Sequence, residues 1–265
     1  MSILKKKNLI YWSSRTEKRV TVVFRGTATT RDILQDLKYS QKTPKPIQEF
    51  APNASLHTGF SNYLFKRALA SNVRTHATTK YDQITTVLEE IFSFKEYGRD
   101  YTDYSLFVTG HSLGGALAQI FAFTLAGSEL GRRIIPQGNP ITALTYASPQ
   151  CGTKSYMEAF NKLENEKRLC HLRISNDGDA IPVGLSYLPC SGRLAQPGIN
   201  IHVYPDKKAD VAHNQMIMFL FNPFSPSYLL TKHSPGDYKD NLLNDANLDI
   251  LSKSVEQLYA QYVFE

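Results

Sequence analysis

Short apolar runs alternate with segments of helical periodicity along most of the chain. The runs are rich in β-branched and aromatic residues, which is typical of buried strands. They cover residues 20–24, 104–109, 141–147, 168–174 and 199–204. Because strands that alternate with helices usually form a parallel sheet covered on both faces, the pattern predicts an α/β fold with a mostly parallel central sheet flanked by helices.

The spacing of apolar residues predicts helices between and after these strands. The predicted helices cover residues 29–37, 62–70, 81–94, 112–125 and 248–262. Residues 41–52 contain three prolines and are predicted to form a loop. No internal repeat, low-complexity tract or change of composition divides the sequence. We therefore expect a single domain over residues 1–265.

The composition is that of an ordinary globular protein, with 42% hydrophobic and 20% charged residues. The formal net charge of +6 is modest, and the basic residues are spread out apart from Lys5, Lys6 and Lys7. The sequence has no stripe of basic residues interleaved with aromatic residues, so we expect no nucleic-acid partner.

The cysteines and the lengths of the apolar segments indicate where in the cell the protein is expected. Cys151, Cys170 and Cys190 lack the spacing of metal ligands, and free thiols in a reducing compartment are the simplest interpretation. The apolar stretch at residues 8–12 is too short for the core of a signal peptide. No segment of the sequence reaches the apolar length of a membrane span. A cytoplasmic or peripherally membrane-associated location is therefore expected.

Residues 110–114 read Gly-His-Ser-Leu-Gly and lie between a predicted strand and a predicted helix. In this context the segment is typical of the tight turn that presents the nucleophile of an α/β-hydrolase. Glycine at both ends avoids Cβ atoms that would collide with neighbouring backbone, and the helix N-terminus directs N–H groups towards a developing oxyanion. The segment predicts Ser112 as the nucleophile of a serine hydrolase; the structural alternative is a glycine-rich turn without chemistry.

A serine nucleophile needs a base, and the base needs an acid that orients it, in the chain order Ser, Asp or Glu, His. The turn after the predicted strand at 168–174 contains Asp177 and Asp179. Asp179 is preferred because it directly precedes the apolar residues Ala180 and Ile181 and a proline, which can bury and fix it. Asp177, beside a glycine, remains the alternative and is otherwise a turn former.

Three histidines follow the acid in the chain, namely His202, His213 and His233. His233 is preferred because it lies in a polar loop beyond the last predicted strand, from which a base can reach back to Ser112. His202 falls in an alternating run and is expected on a strand surface. His213 begins a helical-looking segment, where it could cap or pack, and it stays open as an alternative base.

These residues belong to blocks that resemble the class 3 lipases, a family of fungal-type triacylglycerol lipases with plant and protist relatives. The order and spacing of the blocks match those of the family from about residue 20 to residue 238. The blocks are residues 22–27 (VVFRGT), 57–60 (HTGF), 109–118 (TGHSLGGALA), 176–182 (NDGDAIP) and His233 with the two residues after it.

The resemblance implies an α/β-hydrolase fold and roles for further residues. Thr27 and Leu113 would supply the oxyanion-hole N–H groups, Asp36 would be a structural or hinge acid, and residues 29–37 would lie where fungal relatives carry a lid helix. An ordinary amphipathic helix packed on the core is the alternative for that segment. Only about twenty residues precede the oxyanion strand, fewer than in secreted relatives, so the chain is either a compact or intracellular form or an N-terminally shortened one.

The expected activity is hydrolysis of carboxylic esters of lipids through an acyl-enzyme, with no metal or cofactor. An acylglycerol is the substrate expected from the family. The enzyme alternatives are a phospholipase, a galactolipase or an esterase of soluble esters, and a non-catalytic signalling protein is the alternative from another class. Residues 216–224, rich in Met and Phe, could line an acyl pocket or touch a membrane or lipid-droplet surface, or form a plain core helix.

Overall fold

The structure is a computed structural model of the chain. It describes residues 2–6, 9–14, 16–26, 40–67, 78–93, 101, 103–135, 138–184, 194–214 and 232–264.

The described strands and helices alternate along the middle of the chain. The strands are β1 (Ser2–Lys6), β2 (Leu9–Ser14), β3 (Arg19–Phe24), β4 (Gln41–Lys42), β5 (Leu56–His57), β6 (Ser105–His111), β7 (Ile141–Tyr146), β8 (Gly152–Thr153), β9 (Leu169–Asn176), β10 (Leu194–Ala195), β11 (Ile199–Val203) and β12 (Asp210–His213). The helices are α1 (Lys45–Gln48), α2 (Thr58–Phe65), α3 (Lys80–Ser93), α4 (Leu113–Gly127), α5 (Glu129–Ile134), α6 (Lys154–Asn165), α7 (Ile181–Gly184), α8 (Pro235–Leu242), α9 (Leu248–Leu251) and α10 (Val255–Tyr262), with a 3₁₀ turn at Asp245–Asn247.

The main sheet has the order β1-β2-β3-β6-β7-β9-β11-β12. The five consecutive strands from β3 to β11 pair in parallel, whereas β1, β2 and β12 are antiparallel additions at the two edges. The five predicted strands are these parallel strands. The predicted fold class, a mostly parallel sheet flanked by helices, is confirmed.

The edge strands were not predicted. The sequence of β2 contains the β-favouring residues Ile10, Tyr11 and Trp12, but the residues between it and β1 carry no strong hairpin signature. β12 is a short edge strand with partly exposed residues, and its structure comes from its pairing with β11. The prediction that His213 begins a helix is wrong, because His213 ends this strand.

The helix α4 lies in the centre of one core, and every one of its residues is buried. Val20, Val22 and Phe24 of β3 and Leu106 and Val108 of β6 belong to the same core. Small residues at the start of α4 allow this close packing of the helix on the sheet. The position of Ser112, which directly precedes α4, is therefore fixed by the most buried helix of the described residues.

The C-terminal segment covers the other face of the sheet. Cys170, Leu172 and Ile174, alternate residues of β9, share a second core with Tyr238 and Leu258 from α8 and α10. This segment brings the residues around position 233 back to the sheet.

The predicted continuous helix over 248–262 is wrong, because α9 ends at Leu251 and α10 begins at Val255. Ser254 starts α10 with a capping box, in which its hydroxyl accepts from the Gln257 N–H at 3.3 Å and its own N–H donates to the Gln257 side chain at 2.7 Å. Across the described part of the chain, no helix is long and apolar enough to cross a membrane.

Candidate active site

Ser112 stands at the tight turn between β6 and α4. Its backbone has φ 59° and ψ −126°, a region that costs a non-glycine residue about 1–3 kcal/mol. Hydrogen bonds hold this conformation: the Ser112 N–H donates to the Tyr146 carbonyl at 2.9 Å, and the Ser112 carbonyl accepts from the Gly115 and Ala116 N–H groups at 2.9 and 3.2 Å. Strain that the surrounding structure enforces is typical of functional sites.

Two glycines make this turn sterically feasible. A Cβ on Gly110 would lie 2.3 Å from the carbonyl oxygen of Gly114, and a Cβ on Gly114 would lie 2.3 Å from the carbonyl oxygen of Phe24. Both distances are far below van der Waals contact. The glycines at these positions are therefore required by the approach of β3, β6 and α4 to one another.

The structure brings Ser112, His233 and Asp179 into one hydrogen-bonded chain. The Ser112 Oγ lies 2.9 Å from the His233 Nε2, and the His233 Nδ1 lies 2.9 Å from the Asp179 Oδ2. Because a carboxylate only accepts, it fixes the proton on Nδ1, and the Nε2 lone pair then accepts from the serine hydroxyl. Ser112 and His233 are 3% and 7% exposed, and Asp179 is fully buried.

The alternatives left open by the sequence lie elsewhere. Asp177 is partly exposed, and its Oδ1 is 3.7 Å from the Nε2 of His202. His202 is 2% exposed, so its expected place on a strand surface is wrong; β11 lies between two other strands, and the imidazole packs inside, with Nδ1 2.9 Å from the Ser175 hydroxyl. His213 contacts the Glu164 carboxylate at 3.0 Å.

Asp179 is held by two donors besides His233. Its Oδ1 accepts from the Ile181 N–H at 2.9 Å, and its Oδ2 accepts from the Tyr238 hydroxyl at 2.7 Å. The Tyr238 oxygen in turn accepts from the Asn176 N–H at 3.1 Å. Burial, and then the negative charge of Asp179, raise the pKa of Tyr238 well above its usual value, so that the phenol stays a donor at neutral pH.

Tyr238 was missed at the level of the sequence. It belongs to α8, which begins two residues after His233, and nothing in the local pattern distinguishes a tyrosine that meets a distant carboxylate from one that only packs. Tertiary contact alone reveals its role as a donor to Asp179.

His111 packs beside His233, as expected for a histidine at this turn. Its ring centroid is 4.7 Å from that of His233 and 5.8 Å from that of Tyr238. Burial, together with the nearby His233, lowers the pKa of His111 to about 4. The imidazole next to His233 is therefore neutral near neutral pH.

The predicted oxyanion hole is described in part. The N–H of Leu113 is the first of α4, and the first-turn N–H groups of a helix have no acceptor within it. This amide adjoins the Ser112 hydroxyl and lies at the positive end of the helix dipole, where negative charge is stabilised. Thr27 lies outside the described residues, although its neighbour Gly26 is close to the turn: a Cβ there would lie 2.8 Å from the His111 carbonyl oxygen.

Other sequence predictions also fall outside the described residues. They are Asp36, the possible lid at 29–37, Cys190 and the apolar segment 216–224. Cys151 and Cys170 are described as buried free thiols, and burial raises the pKa of each to about 12. Neither is a reactive thiolate near neutral pH. Within the described ranges, no group of three or more His, Cys, Asp or Glu side chains could hold a metal ion.

Comparison with known proteins places this geometry in a family. The sequence model of Lipase (class 3) matches residues 21–186. Phospholipase A1-Igamma2, chloroplastic, of Arabidopsis thaliana is 32% identical over 167 residues, which are 62% of this chain and 30% of that protein. Phospholipase A1-II 6 of Oryza sativa subsp. japonica is 30% identical over 169 residues, which are 62% of this chain and 39% of that protein. The chain thus matches between about a third and two fifths of the length of these relatives.

The fold has counterparts among solved structures. The triacylglyceride lipase of Rhizomucor miehei aligns with a TM-score of 0.56 and 19% identity, over 89% of this chain and 78% of that one. This likeness supports the α/β-hydrolase fold. The match of the family model covers more than half of the sequence and includes the turn at Ser112 and Asp179. The chain therefore belongs to the class 3 lipase family.

Proposed function

We propose that the chain is a serine hydrolase that cleaves carboxylic esters of lipids. The observation that carries the proposal is the hydrogen-bonded chain from the Ser112 hydroxyl through His233 to the buried Asp179. Each link has the length and atom pairing that general-base activation of a serine needs. Because the chain spans only part of its curated relatives, its activity and substrates are inferred from its own residues together with the family.

In the acylation step, the His233 Nε2 takes the proton of Ser112 as the Oγ attacks the ester carbonyl carbon. The carbonyl oxygen becomes an oxyanion, which the N–H of Leu113 stabilises, together with that of Thr27 as the family resemblance implies. The tetrahedral intermediate collapses, the bond from carbon to the alcohol oxygen breaks, and the proton on His233 passes to the leaving alcohol. An acyl-Ser112 ester remains.

In the deacylation step, the His233 Nε2 removes a proton from water, and the resulting hydroxide attacks the acyl carbon. The second intermediate collapses to a carboxylic acid, and His233 returns the proton to the Ser112 Oγ. Asp179 stays ionised throughout and stabilises the imidazolium. The mechanism uses no metal or cofactor.

The substrate proposed first is an acylglycerol, following the family. A second candidate is a glycerophospholipid cleaved as in the phospholipase A1 relatives, because three such relatives match the chain at 30% identity or more. A galactolipid or a soluble ester would use the same chemistry at Ser112. The candidates differ in head group and not in the reacting atoms.

A hydrolysis panel separates these candidates. Purified protein and its Ser112→Ala variant are assayed against tri-, di- and monoacylglycerols, a phosphatidylcholine, a galactolipid and a short soluble ester. The proposal expects release of fatty acid from at least one lipid and almost none by the variant. Turnover of the soluble ester alone would identify an esterase of soluble esters rather than a lipid hydrolase. Absence of turnover by the parent on every substrate would favour a non-catalytic protein.

We also infer that the enzyme meets its substrate at a lipid surface. Its proposed location is the cytoplasm or the periphery of a membrane. Support comes from the low water solubility of the proposed substrates. If the inference holds, the rate on a partly soluble ester should rise steeply once the ester concentration passes its aggregation point. A smooth saturation curve through that point would contradict contact with a surface.

We further propose that residues 1–265 fold as one domain. The main sheet supports this, because its strands come from residues as far apart as Ser2–Lys6 and Asp210–His213. A single cooperative unfolding transition, detected alike by far-ultraviolet circular dichroism and by tryptophan fluorescence, is the expected result.

A further inference from the structure

Arg173 is a buried cation that the proposed reaction does not use. It lies in β9, and only 4% of its surface is exposed. Burial lowers the pKa of its guanidinium to about 10, so the group is still charged at neutral pH. A charge is rarely retained inside a sheet unless it is paired and hydrogen-bonded. The partners of Arg173 therefore indicate what it does.

One of these partners is the side chain of Gln196, which lies between β10 and β11 and is 4% exposed. The Arg173 Nη1 donates to the Gln196 Oε1. The Gln196 Nε2 then donates to two backbone carbonyls, that of Pro182 at 2.9 Å and that of Ser148 at 3.1 Å. A single buried amide thus joins two segments that are 34 residues apart in sequence.

The Pro182 carbonyl belongs to α7, the short helix that directly follows the turn that carries the proposed acid. The preceding residue, Ile181, donates its N–H to the Asp179 Oδ1 at 2.9 Å. A displacement of the backbone at Pro182 would therefore move the donor that fixes the Asp179 carboxylate. The Gln196 amide thus binds the residue that directly follows the donor to Asp179.

The Ser148 carbonyl belongs to the segment that supports the nucleophile. Two residues earlier, the Tyr146 carbonyl accepts the Ser112 N–H at 2.9 Å. The Ser148 side chain also packs against the first turn of α4, because a Cβ on Gly115 would lie 3.0 Å from the Ser148 Cβ. The same amide thus connects the support of Ser112 with the support of Asp179.

We propose that Gln196 and Arg173 are positioning residues, which set the separation between the turn that carries Asp179 and the turn that carries Ser112. The proposal rests on the proposed function. Neither residue touches the reacting atoms. Both act through backbone that fixes the ends of the chain Ser112–His233–Asp179.

Arg173 is needed because a glutamine amide has two ends of similar shape. The two carbonyl acceptors require the NH₂ end of Gln196, and a donor at the other end reinforces that orientation. Arginine supplies a permanent charged donor at Oε1, and a charge-assisted bond is stronger than a neutral one. The Arg173 cation thereby fixes the orientation of the Gln196 amide. This role explains why a charged side chain lies inside the sheet.

The sharpest test is Gln196→Glu. This variant keeps the shape of the side chain and an oxygen for Arg173, but turns a second oxygen towards the Ser148 and Pro182 carbonyls. We expect kcat for a soluble short-chain ester to fall by roughly 10- to 100-fold, as displacements of about 1 Å remote from the chemistry can produce. KM should change by less than about threefold, because the loss lies in the alignment of the reacting groups rather than in substrate binding.

Asn247→Asp is the matched control. Asn247 is 1% exposed, its Oδ1 accepts from the Ala209 N–H at 2.8 Å, and its Nδ2 donates to the Asn241 carbonyl at 2.9 Å. The control makes the same change of amide to acid in a buried bridge that touches neither turn. It should lose stability while keeping kcat within about twofold at temperatures where it is folded.

The outcomes are distinct. If Gln196→Glu keeps the parent kcat, or loses no more kcat than the control, the proposal is overturned. If Gln196→Glu does not fold, Arg173→Lys is compared with Arg173→Met: a higher kcat for the lysine variant supports the proposal, and equal values overturn it. A parent protein that has no turnover, and whose Ser112 does not react with a fluorophosphonate, would instead refute the proposed function itself.

Discussion

The Tyr238 hydroxyl is the donor to Asp179 that the sequence did not reveal, and Tyr238→Phe removes it with little change of shape. The variant loses the bond to the Asp179 Oδ2 and leaves the Asn176 N–H without its acceptor. Tyr238 is 2% exposed, so water does not readily replace either bond. Both the stability of the fold and the alignment of the acid should respond.

The loss of stability follows from these two bonds. A hydrogen bond to a charged group contributes about 1.5–3 kcal/mol, and a buried donor left unpaired costs about 1–3 kcal/mol. Because the two bonds share one oxygen atom, their effects do not add in full. We expect the free energy of unfolding to fall by about 3 kcal/mol, which lowers Tm by roughly 6 °C in a domain of this size.

The loss of activity is smaller and appears in kcat. Without Tyr238, the Asp179 Oδ2 is held only by the imidazole that it has to orient. If about 1.4 kcal/mol of the lost bond acts in the transition state, kcat falls about tenfold. KM should hardly change, because Tyr238 is buried and acts through Asp179.

Tyr259→Phe provides a closely matched control. The Tyr259 hydroxyl donates to the buried Glu164 carboxylate at 2.6 Å and accepts from the His171 N–H, which repeats the pattern at Tyr238 with an acid outside the site. Burial raises the pKa of both tyrosines well above the usual value, so both are donors at neutral pH. The control should lose similar stability and keep its kcat.

The assay is urea unfolding followed by tryptophan fluorescence, with steady-state kinetics on a soluble ester at a temperature where both variants are folded. Equal kcat values for the two variants would show that Tyr238 only stabilises the fold and does not align Asp179. A large drop in kcat for Tyr259→Phe would also contradict a specific role for Tyr238.

Two further predictions concern the turn itself. Gly114→Ala should destabilise the protein by at least about 1–3 kcal/mol in thermal unfolding and remove most turnover, because its Cβ would overlap the Phe24 carbonyl. Gly236→Ala should be neutral or stabilising, because its Cβ would lie 3.5 Å from the Ser234 hydroxyl oxygen, an ordinary van der Waals contact. Equal effects of the two substitutions would contradict the steric argument. In urea titrations at a series of pH values, the unfolding free energy of the parent should fall between about pH 6.5 and pH 4, because a histidine whose pKa is lowered in the folded state destabilises the fold as pH falls through that range. His111→Phe lacks this titration, so its unfolding free energy should fall less over the same range. An unchanged pH dependence would contradict the neutral state of His111.

Local signals made much of the site predictable. The glycines around Ser112 specify a strand–turn–helix geometry within a few residues, and the chain order of hydrolase sites directs the search to Asp179 and His233. The structure brings these three residues together, while their chemical roles remain predictions. The five parallel strands were equally predictable, because buried strands are continuous apolar runs.

Other features depend on contacts that are distant in sequence. The edge strand β12 exists because β11 lies beside it. His202 of β11, which sequence alternation had placed on a surface, is buried and contacts the Ser175 hydroxyl of the neighbouring strand β9. Tyr238 meets Asp179 across 59 residues. The break before α10 differs in kind, because the Ser254 and Gln257 capping box is a local signal that could have been recognised.

Reaction with a fluorophosphonate, followed by intact mass and peptide mapping, tests most directly whether Ser112 is the nucleophile of an ester hydrolase. We expect one adduct per chain, located on Ser112, formed in step with the loss of esterase turnover and absent from Ser112→Ala. An adduct on another serine, such as Ser175 beside His202, or full turnover by Ser112→Ala, would contradict this assignment.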